Sequence, residues 1–452
     1  MRGLRLGAER TDHAITARIL EGASLVKLAQ LDAGLQTLTA AHEDARSAHR
    51  TIRAELAMHL GIAYYRAREY PQALRFLRLV PDDADIIRAR AITFEAWVAF
   101  EQADMRGAAD TFAAALRHVN TCRHYDRFTG ASALYGLAFL CAEIPRLDLW
   151  PELRKRAMRF DWSAGGVALP QFFLAIAASY ITEMRGEFED AQEWAARAHS
   201  SSPSASCEIQ ALVRLAALVG RYDESRAHTY FVRRAHQRYD EVGVEALVRD
   251  DYAVPLALCE ELAQGSRPRD AAPLMTYHEA VIAARVRGTK DAAMLAALAA
   301  LAGGLMDDAL GRRVRAIERY KSAHKRYDAL GYGRRAAVAA YRLALLTNEE
   351  HYRTYIDDVV RDASPAYWLR ERIAQFGVRD LRLSSRHAEV LSLLGAGKSN
   401  KEIASIRRGS WYAARNIVRE LISMFGVRSR SELVRVAIAR GIVADTSAGK
   451  TA

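Results

Sequence analysis

The 452-residue chain contains few of the residues that build metal sites and disulfide scaffolds. Its four cysteines are far apart, form no C-x-x-C pair and have no histidine at metal-ligand spacing. They are Cys122, Cys141, Cys207 and Cys259. We expect them to be small buried hydrophobic residues in a reducing compartment. Since the thirteen histidines also form no H-E-x-x-H motif, the sequence predicts no metal site.

Membrane and catalytic motifs are also lacking. Charged residues interrupt the first twenty positions, and the longest apolar run, residues 292–306, is shorter than the roughly 20 residues that span a bilayer. Gly397-Lys398-Ser399 ends like a P-loop, but Ser392 stands where the first glycine is needed, and the segment follows a predicted helix. We therefore expect a cytoplasmic protein that is not an enzyme and carries no cofactor.

Positive charge is concentrated near the end of the chain. Residues 378–441 contain thirteen basic and five acidic residues, a net charge of +8 out of +11 for the whole chain. The other 388 residues are nearly neutral. A small basic module is typical of phosphate binding, because each contact with the nucleic-acid backbone releases condensed counterions.

The same segment has the pattern of four short helices. Apolar residues at helical spacing predict helices over about 385–394, 400–407, 410–425 and 429–440, with serines before them and glycines after the first and third. The second and third are separated by a short turn containing Arg408 and Gly409. Two helices joined in this way are a helix-turn-helix, whose second helix lies in the major groove of DNA.

The segments LSSRHAEVLSLLGAGKSNKEIA and FGVRSRSELVRVAIARG resemble the LuxR-type helix-turn-helix domain of bacterial regulators, over roughly the last 60 residues. The middle departs from the family. Arg407, Arg408 and Gly409 replace an apolar-glycine-apolar run, and Ala413 and Ala414 replace the usual threonine and valine. These changes are expected to reduce the small core beneath the third helix without removing its charges.

The resemblance implies which residues contact DNA. The base-reading positions of the family fall on Arg415, Asn416 and Arg419. Arginine can donate two hydrogen bonds to guanine, and asparagine can pair in the same way with adenine. Phosphate contacts are expected from Lys401, Ser410 and Arg428. For any one of these residues the alternative is a solvated surface side chain; the cluster favours DNA.

The rest of the chain reads as nearly continuous amphipathic helix. In residues 56–77, Leu60, Gly61, Tyr64, Tyr70 and Ala73 fall where tetratricopeptide repeats place packing residues. Weaker units follow at spacings of 34 to 35 residues, and the last helix pair is predicted at 315–330 and 334–346. Such pairs stack into a helical solenoid with a groove along the first helix of each pair.

If this register holds, Tyr65, Trp97 and Phe100 face the groove. Each of them alone is better explained by packing between repeats. Together they are candidate contacts for an effector, which the sequence leaves open as a peptide, a protein or a small molecule.

The sequence therefore predicts an all-α protein. A tetratricopeptide-like solenoid (residues 1–360) is followed by a connecting helix or linker (361–378), a LuxR-type domain (379–441) and a flexible tail (442–452). The predicted function is sequence-specific transcription regulation on double-stranded DNA, in the cytoplasm and on the nucleoid, with a possible homodimer formed through residues 433–438. The alternative is a protein-interaction scaffold whose altered helix-turn-helix no longer reads sequence.

Overall fold

The computed structural model describes residues 2–28, 30–122, 126–160, 167–222, 225–243, 253–265, 267–277, 290–377, 383–425, 427–439 and 442–443. These residues form α-helices joined by short turns, and no strand occurs among them. The predicted all-α class is confirmed. The chain divides into two compact units, Met1–Cys141 with Asp148–Leu174, and Ala142–Leu147 with Ala175–Ala452.

The first unit contains antiparallel helix pairs. Its helices are α1 (Arg2–Lys27), α2 (Leu31–Asp44), α3 (Arg50–Arg66), α4 (Tyr70–Leu77), α5 (Asp85–Glu101), α6 (Met105–Thr121), most of α7 (Arg127–Glu143), α8 (Trp150–Arg159) and the start of α9 (Ala168–Met184). Short 3-10 turns lie at Ala45–Ser47 and Leu147–Leu149.

The second unit continues the pairs and ends in a four-helix module. Its further helices are α10 (Phe188–Ser200), α11 (Ala205–Arg221), α12 (Ser225–Val242), α13 (Val254–Gln264), α14 (Pro268–Tyr277), α15 (Lys290–Ala309), α16 (Arg313–Ala329), α17 (Gly333–Thr347), α18 (Glu350–Val359), α19 (Trp368–Gly377), α20 (Ser385–Gly395), α21 (Asn400–Ile406), α22 (Trp411–Phe425) and α23 (Arg430–Ala439). The predicted last pair corresponds to α16 and α17.

One turn geometry recurs between paired helices. A left-handed residue ends the first helix, and the amide of the residue that follows it donates to a carbonyl five positions back, as in a Schellman motif. Examples are Glu69 to Tyr64 and Asp104 to Ala99, each with an N–O distance of 3.0 Å. The left-handed residues of these two turns, Arg68 and Ala103, are 35 positions apart. The spacing of the turns follows the repeat predicted from the sequence.

Small residues allow the paired helices to pack closely. A Cβ atom on Gly61 would lie 2.6 Å from the side chain of Leu77 on the facing helix, and Ala73 is fully buried. Tyr64 stacks on Phe76 with ring centroids 5.4 Å apart. The packing roles predicted for Gly61, Tyr64 and Ala73 follow from this close approach.

One described helix, α15, is long and apolar enough to cross a membrane by composition alone. Its apolar window, Ala292–Ala309, is 61% buried inside the protein. All four cysteines lie in described segments without a disulfide. Cys141, Cys207 and Cys259 are buried as expected, whereas Cys122 is half-buried, because it follows the end of α6.

Candidate nucleic-acid interface

The four-helix module, α20 to α23, begins each helix with a serine that caps it. The Ser399 hydroxyl accepts from the Glu402 amide at 3.3 Å, while the Glu402 carboxylate accepts from the Ser399 amide at 2.7 Å, a complete capping box. Ser384, Ser410 and Ser429 accept in the same way from the amide three residues later. Each cap satisfies a helix-end donor and fixes where the helix starts.

A compact apolar core holds these helices together. Its buried residues are Val390, Leu391, Leu394, Ile403, Ala414, Ile417, Val418, Leu421, Phe425, Val427, Leu433, Val436 and Ala437. The predicted four helices are therefore present, with bounds within three residues of those expected. Ala414, which the sequence predicted to lie in the core beneath the third helix, is buried there with 3% of its surface exposed.

The turn between α21 and α22 contains a strained residue. Arg408 has a φ of +51°, in the left-handed region that glycine favours. The φ of Gly409, the next residue, is not in that region. The Gly409 amide donates to the Ala404 carbonyl at 2.9 Å, which closes the turn. The turn therefore forms with an arginine, and not a glycine, in the left-handed conformation.

The three predicted base-reading residues lie together on one exposed face of α22. Arg415, Asn416 and Arg419 all point away from the buried stripe of Ile417, Val418 and Leu421. The predicted phosphate residues Lys401 and Ser410 are also exposed, at the start of α21 and immediately before α22. The geometry brings these five side chains to the helix-turn-helix surface.

Two aromatic residues that sequence reasoning missed border this face. Trp411 and Tyr412 are 43% and 70% exposed at the start of α22. The Arg415 guanidinium lies 5.3 Å from the centroid of the Trp411 ring, a cation–π contact that orients the arginine. The signal in the sequence was the i, i+4 spacing of Trp411 and Arg415 on one helix.

Arg428 is placed differently from the other predicted phosphate contacts. Its guanidinium donates to the Gln264 side-chain oxygen and lies 5.5 Å from the Trp368 ring centroid, against the repeat region. Burial, together with the nearby Arg372 and Arg221, lowers the pKa of Arg428 to about 9. In this arrangement a phosphate contact by Arg428 would require the module to move away from Gln264.

A buried ion pair fixes α23 to α17 of the repeat region. Arg342 donates to the Glu432 carboxylate at 2.6 Å, and both side chains are at least 92% buried. The second Glu432 oxygen accepts from the Arg428 amide at 2.9 Å. Burial alone opposes ionisation, but Arg342 and Arg372 hold the pKa of Glu432 at about 2. A second pair, Arg435 with Asp308 at 2.5 Å, lies beside it.

This docking covers the helix expected to form a dimer. Leu433, Val436 and Ala437 are buried, and α23 packs on α17 as well as on α20 and α22. Val434 and Ile438 remain half-buried. A homodimer through this helix stays a prediction.

The predicted groove residues belong to an aromatic row in the first unit. Tyr65, Trp97 and Phe100 are each half-buried on the first helix of a pair. Ring contacts connect α3, α5, α7 and the start of α9, with distances between ring centroids of 5.2 to 5.8 Å. The members are Tyr65, Phe94, Trp97, Phe100, Tyr135, Phe139 and Phe173.

Each ring of the row therefore takes part in packing, as expected. The Trp97 indole also donates to the Ser132 hydroxyl at 3.3 Å. Since every ring of the row keeps an exposed part, the row also offers apolar surface to a ligand.

The described segments contain no cluster of three histidine, cysteine, aspartate or glutamate residues suited to a metal. The segment 397–399 joins α20 to α21, so it is a loop between helices, unlike the strand-to-helix loop of a nucleotide site.

Neither the family models nor the curated proteins that were compared contain a match to this chain. Solved structures with a similar helical arrangement include a Rap protein complexed with Competence and Sporulation Factor, at 11% identity and a TM-score of 0.46, covering 77% of this chain and 99% of that one. The apo form of RapI has 10% identity and a TM-score of 0.46, with 80% and 98% covered. The apo quorum sensor NprR from B. thuringiensis has 9% identity and a TM-score of 0.43, with 76% and 87% covered.

Proposed function

We propose that this chain is a sequence-specific transcription regulator, with a LuxR-type module that reads double-stranded DNA. The observation that carries the proposal is the exposed row of Arg415, Asn416 and Arg419 on α22, over a fully apolar buried face. A helix with this division of residues can enter the major groove while its core remains intact. The net charge of +8 on the surrounding segment supplies the attraction to phosphates.

The roles follow from side-chain geometry. Arg415 and Arg419 present planar guanidinium groups that suit the two acceptors of a guanine edge. Asn416, between them in the chain, offers both a donor and an acceptor, as adenine requires. Lys401 and the region of Ser410 flank this face at helix starts, where exposed donors suit phosphate oxygens.

The repeat region is proposed to receive the effector. The aromatic row of the first unit suits a peptide, a protein segment or a small molecule with apolar groups. Effector binding would shift the population between arrangements of the module, provided that the effector has a different affinity for each. The chain is proposed to act in the cytoplasm and on the nucleoid, as a homodimer, without catalytic activity or a cofactor.

The second unit contains a structural element on which such a shift can act. The pairs Arg342–Glu432 and Arg435–Asp308 fix α23 to the repeat region, and Arg428 is engaged there as well. Breaking these contacts would release Arg428 for phosphate and α23 for a second copy. The docked and released arrangements therefore differ in the groups available to DNA.

The test is selection of bound fragments from a random DNA pool with the full-length protein. We expect an enriched motif that disappears when Arg415 and Arg419 are both changed to alanine. A matched control changes Arg226, which is exposed on α12, to alanine and should leave the motif unchanged. If only unselective, salt-sensitive binding emerges, the regulator proposal fails and the scaffold alternative replaces it.

A further inference from the structure

Three arginines surround one tryptophan where the module meets the repeat region. The guanidinium carbons of Arg221, Arg372 and Arg428 lie 4.8, 5.4 and 5.5 Å from the ring centroid of Trp368. The tryptophan itself is 3% exposed. We call these four residues the arginine cluster. Three like charges around one buried ring repel each other unless something compensates them.

The nearby carboxylates are too few to compensate them. Glu183 is shared by Arg214 and Arg221, with N–O distances of 2.8 Å to each. Glu432 is engaged by Arg342, and Glu261 lies 3.2 Å from the His228 ring nitrogen. A fourth carboxyl, Glu260, is near Arg221, but burial raises its pKa to about 8 and keeps it largely neutral at pH 7. Five arginines thus face three charged carboxylates, which leaves two positive charges in excess even before His228 is counted.

The cluster also holds hydrogen-bond donors without partners. These buried atoms are Nε of Arg221, Nη1 of Arg372, Nε of Arg428 and Nε1 of Trp368. An unsatisfied buried donor costs about 1 to 3 kcal/mol, and more when it is charged. Three of them around one ring and a fourth on the ring itself therefore destabilise the fold unless a ligand accepts their hydrogen bonds.

A cavity reaches the Arg428 side of the cluster. Of the four cluster residues, Arg428 is the one that lines a cavity of about 170 Å³, and the ion-paired side chains of Arg342, Glu432, Arg435 and Asp308 form part of its wall with Gln264. This volume accommodates several water molecules or a small polar ligand. The burial of Arg428 among other arginines, which lowers its pKa to about 9, agrees with a shortage of negative charge at this place.

We propose that the arginine cluster is the binding site of a small dianion, a dicarboxylate or a phosphoryl compound. Its negative oxygens would accept from the three guanidinium groups, whose planar forks match carboxylate and phosphate geometry. Two excess charges favour a ligand with two negative charges over a monoanion. This site is separate from the aromatic row and from the DNA-facing side of α22, and it does not require that the module bind DNA.

The ligand would connect two parts of the second unit. Arg221 and Arg372 belong to α11 and α19, whereas Arg428 belongs to the four-helix module. A bound dianion would therefore hold the module to the repeat region, and it should slow hydrogen exchange of the α23 amides.

The probes are inorganic phosphate and succinate, titrated into the full-length protein by calorimetry, with chloride at matched ionic strength and glycerol as controls. We expect saturable binding of at least one dianion and slower exchange of α23 in its presence. Arg372→Met should weaken binding at least about tenfold, because one charge-assisted contact is lost. Arg372→Lys should have an intermediate effect, and the exposed Arg226→Met should have none.

A measurement without ligand separates a binding site from a structural cluster. If repulsion among the arginines outweighs the attraction between Arg372 and the Glu432 carboxylate, Arg372→Met should unfold at the same temperature as the wild type or higher in dianion-free buffer. No saturable binding by the wild type at millimolar dianion would overturn the proposal. Equal binding by Arg372→Met, or a lower unfolding temperature of that variant without any dianion effect, would overturn it as well.

Discussion

Changing Glu432 to glutamine should release the four-helix module from the repeat region. In the wild type, the carboxylate accepts from Arg342 at 2.6 Å and from the Arg428 amide at 2.9 Å. Glutamine keeps the size of the side chain but leaves the Arg342 charge buried without its counter-ion. Removing one partner of a buried pair typically costs 3 to 5 kcal/mol.

The pKa of Glu432 gives a second measure of the same interaction. Its value of about 2, against 4.5 for an unperturbed glutamate, corresponds to about 3 kcal/mol at 1.36 kcal/mol per pKa unit. Because the pKa is lowered by folding, this stabilisation is present above pH 4.5 and is lost as the pH falls toward 2. Both routes therefore predict a docking energy of similar size.

The assay is hydrogen exchange of the α23 amides followed by mass spectrometry, since global unfolding of a chain this long is not two-state. When α23 opens and closes faster than its amides exchange, the exchange rate follows the opening equilibrium, and a loss of about 3 kcal/mol makes exchange roughly a hundredfold faster. The difference between the wild type and Glu432→Gln should shrink as the pH falls from about 4.5 toward 2, because the wild-type carboxylate is then protonated.

Two controls make this prediction specific. Glu420→Gln removes an exposed carboxylate that lies 3.0 Å from His387 in the same module, and it should change exchange less than tenfold. Replacing Arg342 and Glu432 together with leucine removes both charges and should restore most of the protection. Exchange of α23 in Glu432→Gln within threefold of the wild type would refute the reasoning.

Three further changes test the local packing. Arg408→Gly should stabilise the module by about 0.5 to 1 kcal/mol, because glycine adopts the left-handed φ of +51° without strain; a lower unfolding temperature would contradict this. Gly409→Ala should be neutral or stabilising, because its Cβ would meet no atom closer than 4.0 Å. Gly61→Ala should destabilise the first unit by about 1 to 3 kcal/mol, since its Cβ would lie 2.6 Å from Leu77; thermal unfolding unchanged from the wild type would disprove the close packing. Glu183→Gln leaves two arginines buried without a carboxylate and should cost about 3 to 5 kcal/mol, measured as earlier urea unfolding, and an unchanged midpoint would argue against it.

Local patterns predicted the elements of this fold well. Serine caps and apolar spacing placed the four helices of the C-terminal module, because each signal lies within a few residues of the helix end that it determines. The small residues Gly61 and Ala73 marked a close helix pair for the same reason. Exposure of Arg415, Asn416 and Arg419 followed from helical periodicity alone.

The docking of the module could not be predicted in this way. Arg342 and Glu432 are 90 residues apart, and the Arg428 contact reaches Gln264 across 164 residues. Contacts between helices that are distant in the chain leave no periodic pattern in a single sequence. The sequence also does not show whether a basic residue contacts a phosphate or a buried glutamine. Arg428 was therefore assigned from the LuxR-type resemblance, while its surroundings depend on the tertiary fold.

The aromatic row shows a similar limit. Repeat register predicted that Tyr65, Trp97 and Phe100 share one side of their helices. The neighbouring rings Tyr135 and Phe173 were not identified, because the repeat pattern is weak around α7 and α9. The repeat register therefore identified part of this aromatic surface, and the remaining rings depend on how the helices pack on each other.

The most direct test of DNA reading is the ratio of affinities for a selected site and a scrambled duplex, measured by fluorescence anisotropy at physiological salt. The proposed function predicts that the wild type favours the selected site by about a thousandfold or more. In the variant with Arg415 and Arg419 changed to alanine, the ratio should fall to within tenfold while the weaker, salt-dependent binding remains. A wild-type ratio near one, or a ratio that the double variant retains, would contradict the claim that this face of α22 reads DNA sequence.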